Sequence, residues 1–208
     1  MNKKILGISG SLAAVMFAIL LVNIPTDVNQ QNLPYEETFV PGLVPPPIPM
    51  SVFLGDNQVQ NMAEASTAMR KNVEHPRYLP SNYKVQLISA TQDEVRMYAS
   101  PSPLTPATTD QDFVWKQKGI TIIVSQADET EVAEEVKQVL ALNPEAYSPV
   151  QIGNKMGAGH EIIRFDNGDG IVGSAQAELL YYGDGERIVV HGLHPLERLI
   201  SVAVSLTE

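Results

Sequence analysis

Residues Ile5–Ile24 (ILGISGSLAAVMFAILLVNI) form an uncharged apolar run, led by Lys3 and Lys4 and closed by Pro25. Twenty residues of helix rise about 30 Å, the thickness of a bilayer's hydrocarbon core. No further Lys or Arg occurs before Arg70, so the basic flank predicts a cytoplasmic N-terminus and an extracytoplasmic segment 25–208. The run reads as an uncleaved single-pass anchor. A cleaved signal peptide, with the same basic start and apolar middle, is the main alternative. Its peptidase needs small residues one and three places before the cut. Ala13, Ala14 and Ala18 instead lie inside the run, and residues 23–28 offer no clean small-x-small pair. The run is also longer than a signal core of about 7–15 residues. A buried core helix is a third reading, opposed by the lysine flank. Without cysteine, lipid attachment through an N-terminal Cys is excluded.

Residues 25–50 contain seven prolines: Pro25, Pro34, Pro41, Pro45, Pro46, Pro47 and Pro49. Proline fixes φ and removes an N–H donor, so the stretch is expected to join neither a helix nor a central strand. It reads as an extended spacer holding a domain, residues 51–208, away from the bilayer. A Pro-rich recognition motif is the functional alternative.

Charge narrows the partners. The chain has 14 basic and 24 acidic residues, net −10. Both lysines of the first 24 residues lie outside the domain and its spacer, which therefore carry 12 bases against 24 acids, or −12. Phosphate backbones are recognised by neutralisation with Lys and Arg, so nucleic acid is not expected as a partner. The absence of cysteine also removes disulfides, thiolate nucleophiles and Cys-ligated metal centres, leaving core burial to hold the domain together.

Periodicity and turn residues supply the elements. Residues 56–74 favour a helix capped by Asp56 or Asn57, with Val59, Met62, Ala63, Ala65, Met69 and Val73 as its stripe. Residues 83–90 and 94–99 read as a hairpin around a turn at 91–93, and 100–112 as loop. Phe113–Trp115 and Gly119–Gln126 read as strand. Asp128 with Glu131 predicts a capped helix whose apolar face is Val132, Val136, Val139 and Leu140, ended by Asn143-Pro144. Residues 149–153 and 159–165 alternate as strands on either side of a glycine-rich loop, Gly153–Gly159. Asn167-Gly168 and Asp184-Gly185 are hairpin-turn dipeptides. Pro195 opens a final helix that turns Leu196, Leu199, Ile200, Ala203 and Leu206 inward. The order predicts an α+β fold, an antiparallel sheet with helices packed on one face, preceded by the transmembrane helix.

No pattern identifies an active site. In Asp166-Asn167-Gly168-Asp169-Gly170 the oxygen ligands of a calcium loop are out of step, and a tight turn explains the segment better. Among His75, His160, His191 and His194, a zinc site would have to join His191 and His194 to a remote pair such as His160 with Glu161. Neither a Gly-x-Ser-x-Gly elbow nor Ser-x-x-Lys is present, and Ser125 and Ser174 lack activating context. The Gly153–Gly159 segment lacks the Lys-Ser/Thr of a phosphate loop. Glu134 and Glu135 read as a solvated helix face. No catalytic, cofactor-binding or metal-binding residue is assigned.

Three segments together resemble a known pattern. His75-Pro76-Arg77-Tyr78-Leu79-Pro80-Ser81-Asn82-Tyr83 is similar to a Pro-x-Tyr-Leu-Pro-x-Gly-Tyr approach to a first strand, with Asn82 in place of the usual Gly. Gly119–Gln126 resembles its Gly-led strand. AELLYYGDGERIVVHGLHPLERLISVAVSLTE resembles its closing hairpin and helix, with Tyr182 where Trp is usual. The pattern, covering about residues 60–208, belongs to an uncharacterised extracytoplasmic domain family found C-terminal to membrane anchors in anti-sigma-factor-like and sporulation-associated bacterial proteins. The resemblance implies an anchored sensing or binding domain and brings no catalytic residue with it. With only Met1–Lys4 ahead of the apolar run, a cytoplasmic sigma-binding part is not expected.

The reading that results is a membrane-anchored binding or sensing domain without catalytic activity. It would meet the lipid bilayer through residues 5–24 and a protein or envelope component through its outer domain, with no cofactor. One alternative is an accessory subunit of a membrane complex, for which Gly7 and Ser11 form a small-xxx-small face. Another is an extracytoplasmic hydrolase whose site is assembled from His160, His191 and Glu161.

Overall fold

The computed structural model describes residues 47–166 and 172–207. The anchor expected at 5–24, most of the expected spacer and the turn expected at Asn167-Gly168 lie outside the described residues. Among the described residues no helix is long and apolar enough to cross a membrane. Residues Pro46–Glu208 make up one compact unit.

The fold is α+β, built on an eight-stranded antiparallel sheet. In chain order its elements are α1 (Met50–Leu54), β1 (Gln58–Val59), α2 (Met62–Met69), β2 (Lys84–Ala90), β3 (Glu94–Ser100), a π-helical turn (Asp112–Lys116) and β4 (Ile120–Gln126). There follow α3 (Glu129–Leu142), β5 (Ser148–Ile152), β6 (Lys155–His160), β7 (Ile163–Asp166), β8 (Val172–Ala175), β9 (Ala177–Gly183), β10 (Glu186–Gly192) and α4 (Leu196–Val204). The sheet runs β1-β2-β3-β4-β10-β9-β6-β5, and β7 and β8 pair separately. The β9–β10 hairpin turns at Asp184 (φ 50°) and Gly185 (φ 81°), the two successive left-handed residues that a type I′ turn requires.

Helices cover both faces of the sheet, not the single face expected from sequence. One face is packed by α2 and α4: Met97, Ile122, Leu179 and Val190 join Ala65, Met69, Leu199 and Val202 in one buried cluster. On the other, Val132 and Val136 of α3 meet Ile123, Leu180 and Val189, while Met50 and Leu54 of α1 pack with Leu87, Tyr98 and Phe113. The reason lies in the central strands. Ile120–Val124 is buried at every position, and a strand apolar on both sides needs two covers.

Four local expectations are also corrected. The end of the spacer is docked. Ile48 N–H donates to Asp110 Oδ1 (2.9 Å), Pro49 bridges Thr109, and Met50 N–H donates to the Thr108 carbonyl (2.7 Å). Pro49 is tolerated because its neighbours supply the donors. The helix expected over 56–74 is confined to 62–69. Its cap is Asn61, whose side chain accepts the Glu64 N–H at 3.0 Å while Glu64 Oε2 accepts the Gln60 N–H at 2.9 Å. The first bond satisfies one first-turn donor and the second fixes the residue before the cap, and Val59 pairs with Ile88.

Phe113–Trp115 is a π-helical turn rather than strand. The Gln117 N–H reaches the Asp112 carbonyl at 3.0 Å, so Phe113 turns inward onto Tyr98 while Trp115 stays exposed. Finally, Lys155–Gly159 is not a loop but most of strand β6. Its glycines serve close packing: a Cβ at Gly157 would stand 2.6 Å from the Leu180 carbonyl oxygen.

Candidate functional site

Two clusters of polar side chains stand apart from the surface. The first lies on the α3 side of the sheet, where register brings His160 opposite Glu178, Glu178 opposite His191, and His191 opposite Thr121. Tyr147, just before β5, donates its hydroxyl to Glu178 Oε1 at 2.8 Å and sets its ring edge-on to His160 at 4.6 Å between centroids. Burial, followed by the Glu178 charge and hydrogen bond, pushes the Tyr147 hydroxyl far above its ordinary value. The His191 imidazole is held below its ordinary value by burial, against the Glu178 charge and with Arg96 and His160 adding to the drop.

The structure thus joins His160 and His191 across Glu178, but it leaves Glu161 out. Glu161 Oε2 accepts the Leu196 N–H at 3.0 Å at the start of α4. Strand β6 ends at His160, so Glu161 lies past the strand, beside the start of α4. Glu178 was missed in sequence because nothing local ties it to either histidine. Among the described residues no three His, Asp or Glu side chains gather as a group able to hold a metal ion. His75 bonds its own neighbour, Nδ1 to the Pro76 carbonyl at 3.0 Å, and joins neither cluster.

The second cluster is a cleft of about 430 Å³ between the segment leading into β2, the turn before β4 and the start of α4. Its lining is mostly polar, with Tyr83, Lys118, His194 and Arg198 contributing to it, and Tyr78, Pro80, Leu193 and Pro195 complete it. His194 sits one residue before the Pro195 N-cap of α4, and Arg198 in the first turn reaches back to its ring.

One backbone carbonyl organises the floor. Lys118 is left-handed (φ 51°). Its carbonyl accepts the Tyr83 hydroxyl at 3.0 Å and pairs with His194 Nε2 at 2.8 Å. A carbonyl cannot donate, so Nε2 carries the proton. Nδ1 is then the acceptor, and Arg198 Nη1 donates to it at 3.4 Å. The Tyr83 ring meets the imidazole edge-on at 5.4 Å. His194 is almost wholly buried, and burial first, then the Arg198 and Lys118 charges, hold it below its ordinary value despite the carbonyl bond. Its neutral form is the one this geometry requires.

Lys118 and Arg198 stand on the rim with exposed side chains. Among the described residues seven other Lys and Arg side chains are ion-paired, among them Arg187, bidentate on Glu135 at 2.6 and 2.7 Å, and Lys71 with Glu186 at 3.1 Å. Among the described residues neither cleft cation is ion-paired. In a chain of net charge −10, two unpaired cations over a neutral histidine make a local positive field.

No family model, curated protein or solved structure matches the chain.

Proposed function

We propose that this protein is a membrane-anchored, extracytoplasmic binding domain without catalytic activity, and that the cleft at Tyr78, Lys118, His194 and Arg198 is its binding site. The observation that carries the reading is the cleft itself: a concave, mostly polar site of the size small-molecule sites have, on which Lys118, His194 and Arg198 converge beside the exposed Tyr78 ring. Its histidine is fixed neutral by a carbonyl and a guanidinium, an arrangement that orients donors rather than prepares a base. The apolar run at 5–24 and the basic flank before it support the anchor.

The cysteine-free sequence makes topology directly testable. A single cysteine at exposed Gln92, introduced as Gln92→Cys, is expected to react with a membrane-impermeant maleimide on intact cells or spheroplasts. Labelling only after lysis overturns the extracytoplasmic placement. The row His160–Glu178–His191 favours a second reading, an extracytoplasmic hydrolase. That reading requires a turnover that His191→Asn abolishes while leaving the folded population unchanged.

A further inference from the structure

We infer that the cleft takes a small organic oxyanion, a carboxylate or phosphate head carried on a planar or apolar body. The inference rests on the proposal that the cleft is the binding site and adds the chemistry of its ligand.

Three observations converge on it. Arg198 and Lys118 face the same space, and among the described residues neither has an acidic partner, whereas Lys71 and Arg187 are each neutralised by a carboxylate. Arg198 is also held in place. Its contact to Nδ1 of the buried His194 uses one Nη1 donor, and a guanidinium has five, so a fork remains for two oxygens of one ligand. The helix start does not supply this charge, because the Leu196 N–H is already taken by Glu161. The positive field belongs to the two side chains. Finally, an aromatic ring borders this mostly polar cleft: Tyr78 is 43% exposed at the mouth, near Leu193 and Pro195. A bare inorganic ion would leave that ring wet. A ring or chain carrying the anion would cover it.

His194 acts as a positioning residue. By accepting from Arg198 and donating to the Lys118 backbone carbonyl, it sets the guanidinium beside the turn that carries Lys118. Tyr83 braces the same carbonyl.

The test titrates the full chain, in a zwitterionic detergent, with phenyl phosphate, benzoate and uncharged benzyl alcohol. Binding is read from NMR shifts of the His194 imidazole and the Arg198 guanidinium. Saturable shifts with one or both anions and none with the alcohol are expected. Arg198→Gln should weaken that binding about tenfold or more, the effect of removing a charge-assisted bidentate contact. Phenyl phosphate bound more tightly than benzoate identifies a phosphate ester, and the reverse order a carboxylate. Equal shifts with the alcohol, or anion binding unaltered by Arg198→Gln, overturn the oxyanion inference and leave the binding site standing. If none of the three probes perturbs the cleft, the site and its ligand class both fall. Lys118→Gln, on an exposed side chain, gives a second variant should Arg198→Gln unfold the helix start.

Discussion

His194 shows how one side chain couples stability to the site. Its neutral form is favoured in the fold, so its folded pKa lies below the value of about 6.5 in an unfolded chain. As pH falls through that value, the unfolded chain takes up the proton first, and the native state loses stability. His191 shifts in the same direction. Stability should therefore be full above about pH 6.5 and decline below it, by at most about 1.4 kcal/mol per pH unit for each histidine. Denaturant titrations at pH 7.5 and 5.0, on wild type and His194→Gln, check this. The variant is expected to be less stable at pH 7.5, having lost a buried hydrogen bond, yet to fall less steeply with acid. Equal slopes would remove His194 from the acid response. Glu186, its carboxyl raised chiefly by burial, opposes this trend and is common to both proteins, so it cancels in the comparison.

At the scale of elements, legibility followed local chemistry. Strand β4 stood out because Ile120–Val124 is an unbroken β-branched run, α3 because Asp128 caps it through the Thr130 N–H at 2.8 Å, and the β9–β10 hairpin because Asp184-Gly185 suits the turn. Elements set by distant partners were not legible. Lys155–Gly159 has the composition of a loop, and only the neighbouring strand explains it: Gly157 leaves room for the Leu180 carbonyl. The π-helical turn depends on Phe113 finding Tyr98. That strand requirement is testable. Gly157→Ala would bring its Cβ within 2.6 Å of the Leu180 carbonyl and 2.8 Å of Tyr181 Cβ, both on a central strand unable to retreat. A loss of about 1–3 kcal/mol, typical of overpacking, is expected in chemical denaturation. Gly153→Asn is the control. Gly153 is left-handed at φ 58° with open space around it, a conformation Asn tolerates, so its cost should be well below that of Gly157→Ala. Two similar values would mean that β6 does not depend on this close approach.

The same division holds for the whole molecule. Composition showed an acidic chain, and the structure shows where its charge is locally reversed. Lys118 and Arg198 lie 80 residues apart in sequence, and no periodicity links them across that distance. Only the meeting of the turn before β4 with the start of α4 brings them to one cleft. The pairing of His194 with Arg198 was not read from the sequence, and the carbonyl that fixes the imidazole comes from Lys118, 76 residues away. The proposed anchor, by contrast, rests on sequence physics alone: an apolar run of bilayer length behind two lysines. An uncleaved anchor predicts that protein extracted from membranes begins at Met1 or Asn2, as read by the intact mass and the N-terminal peptide. A new end between residues 23 and 30 would instead mean a released domain. The two results change what the cleft can meet. A tethered domain is confined near the bilayer surface and sees anionic groups displayed there at high effective concentration. A released domain must capture its ligand from solution, with affinity supplied by the cleft alone.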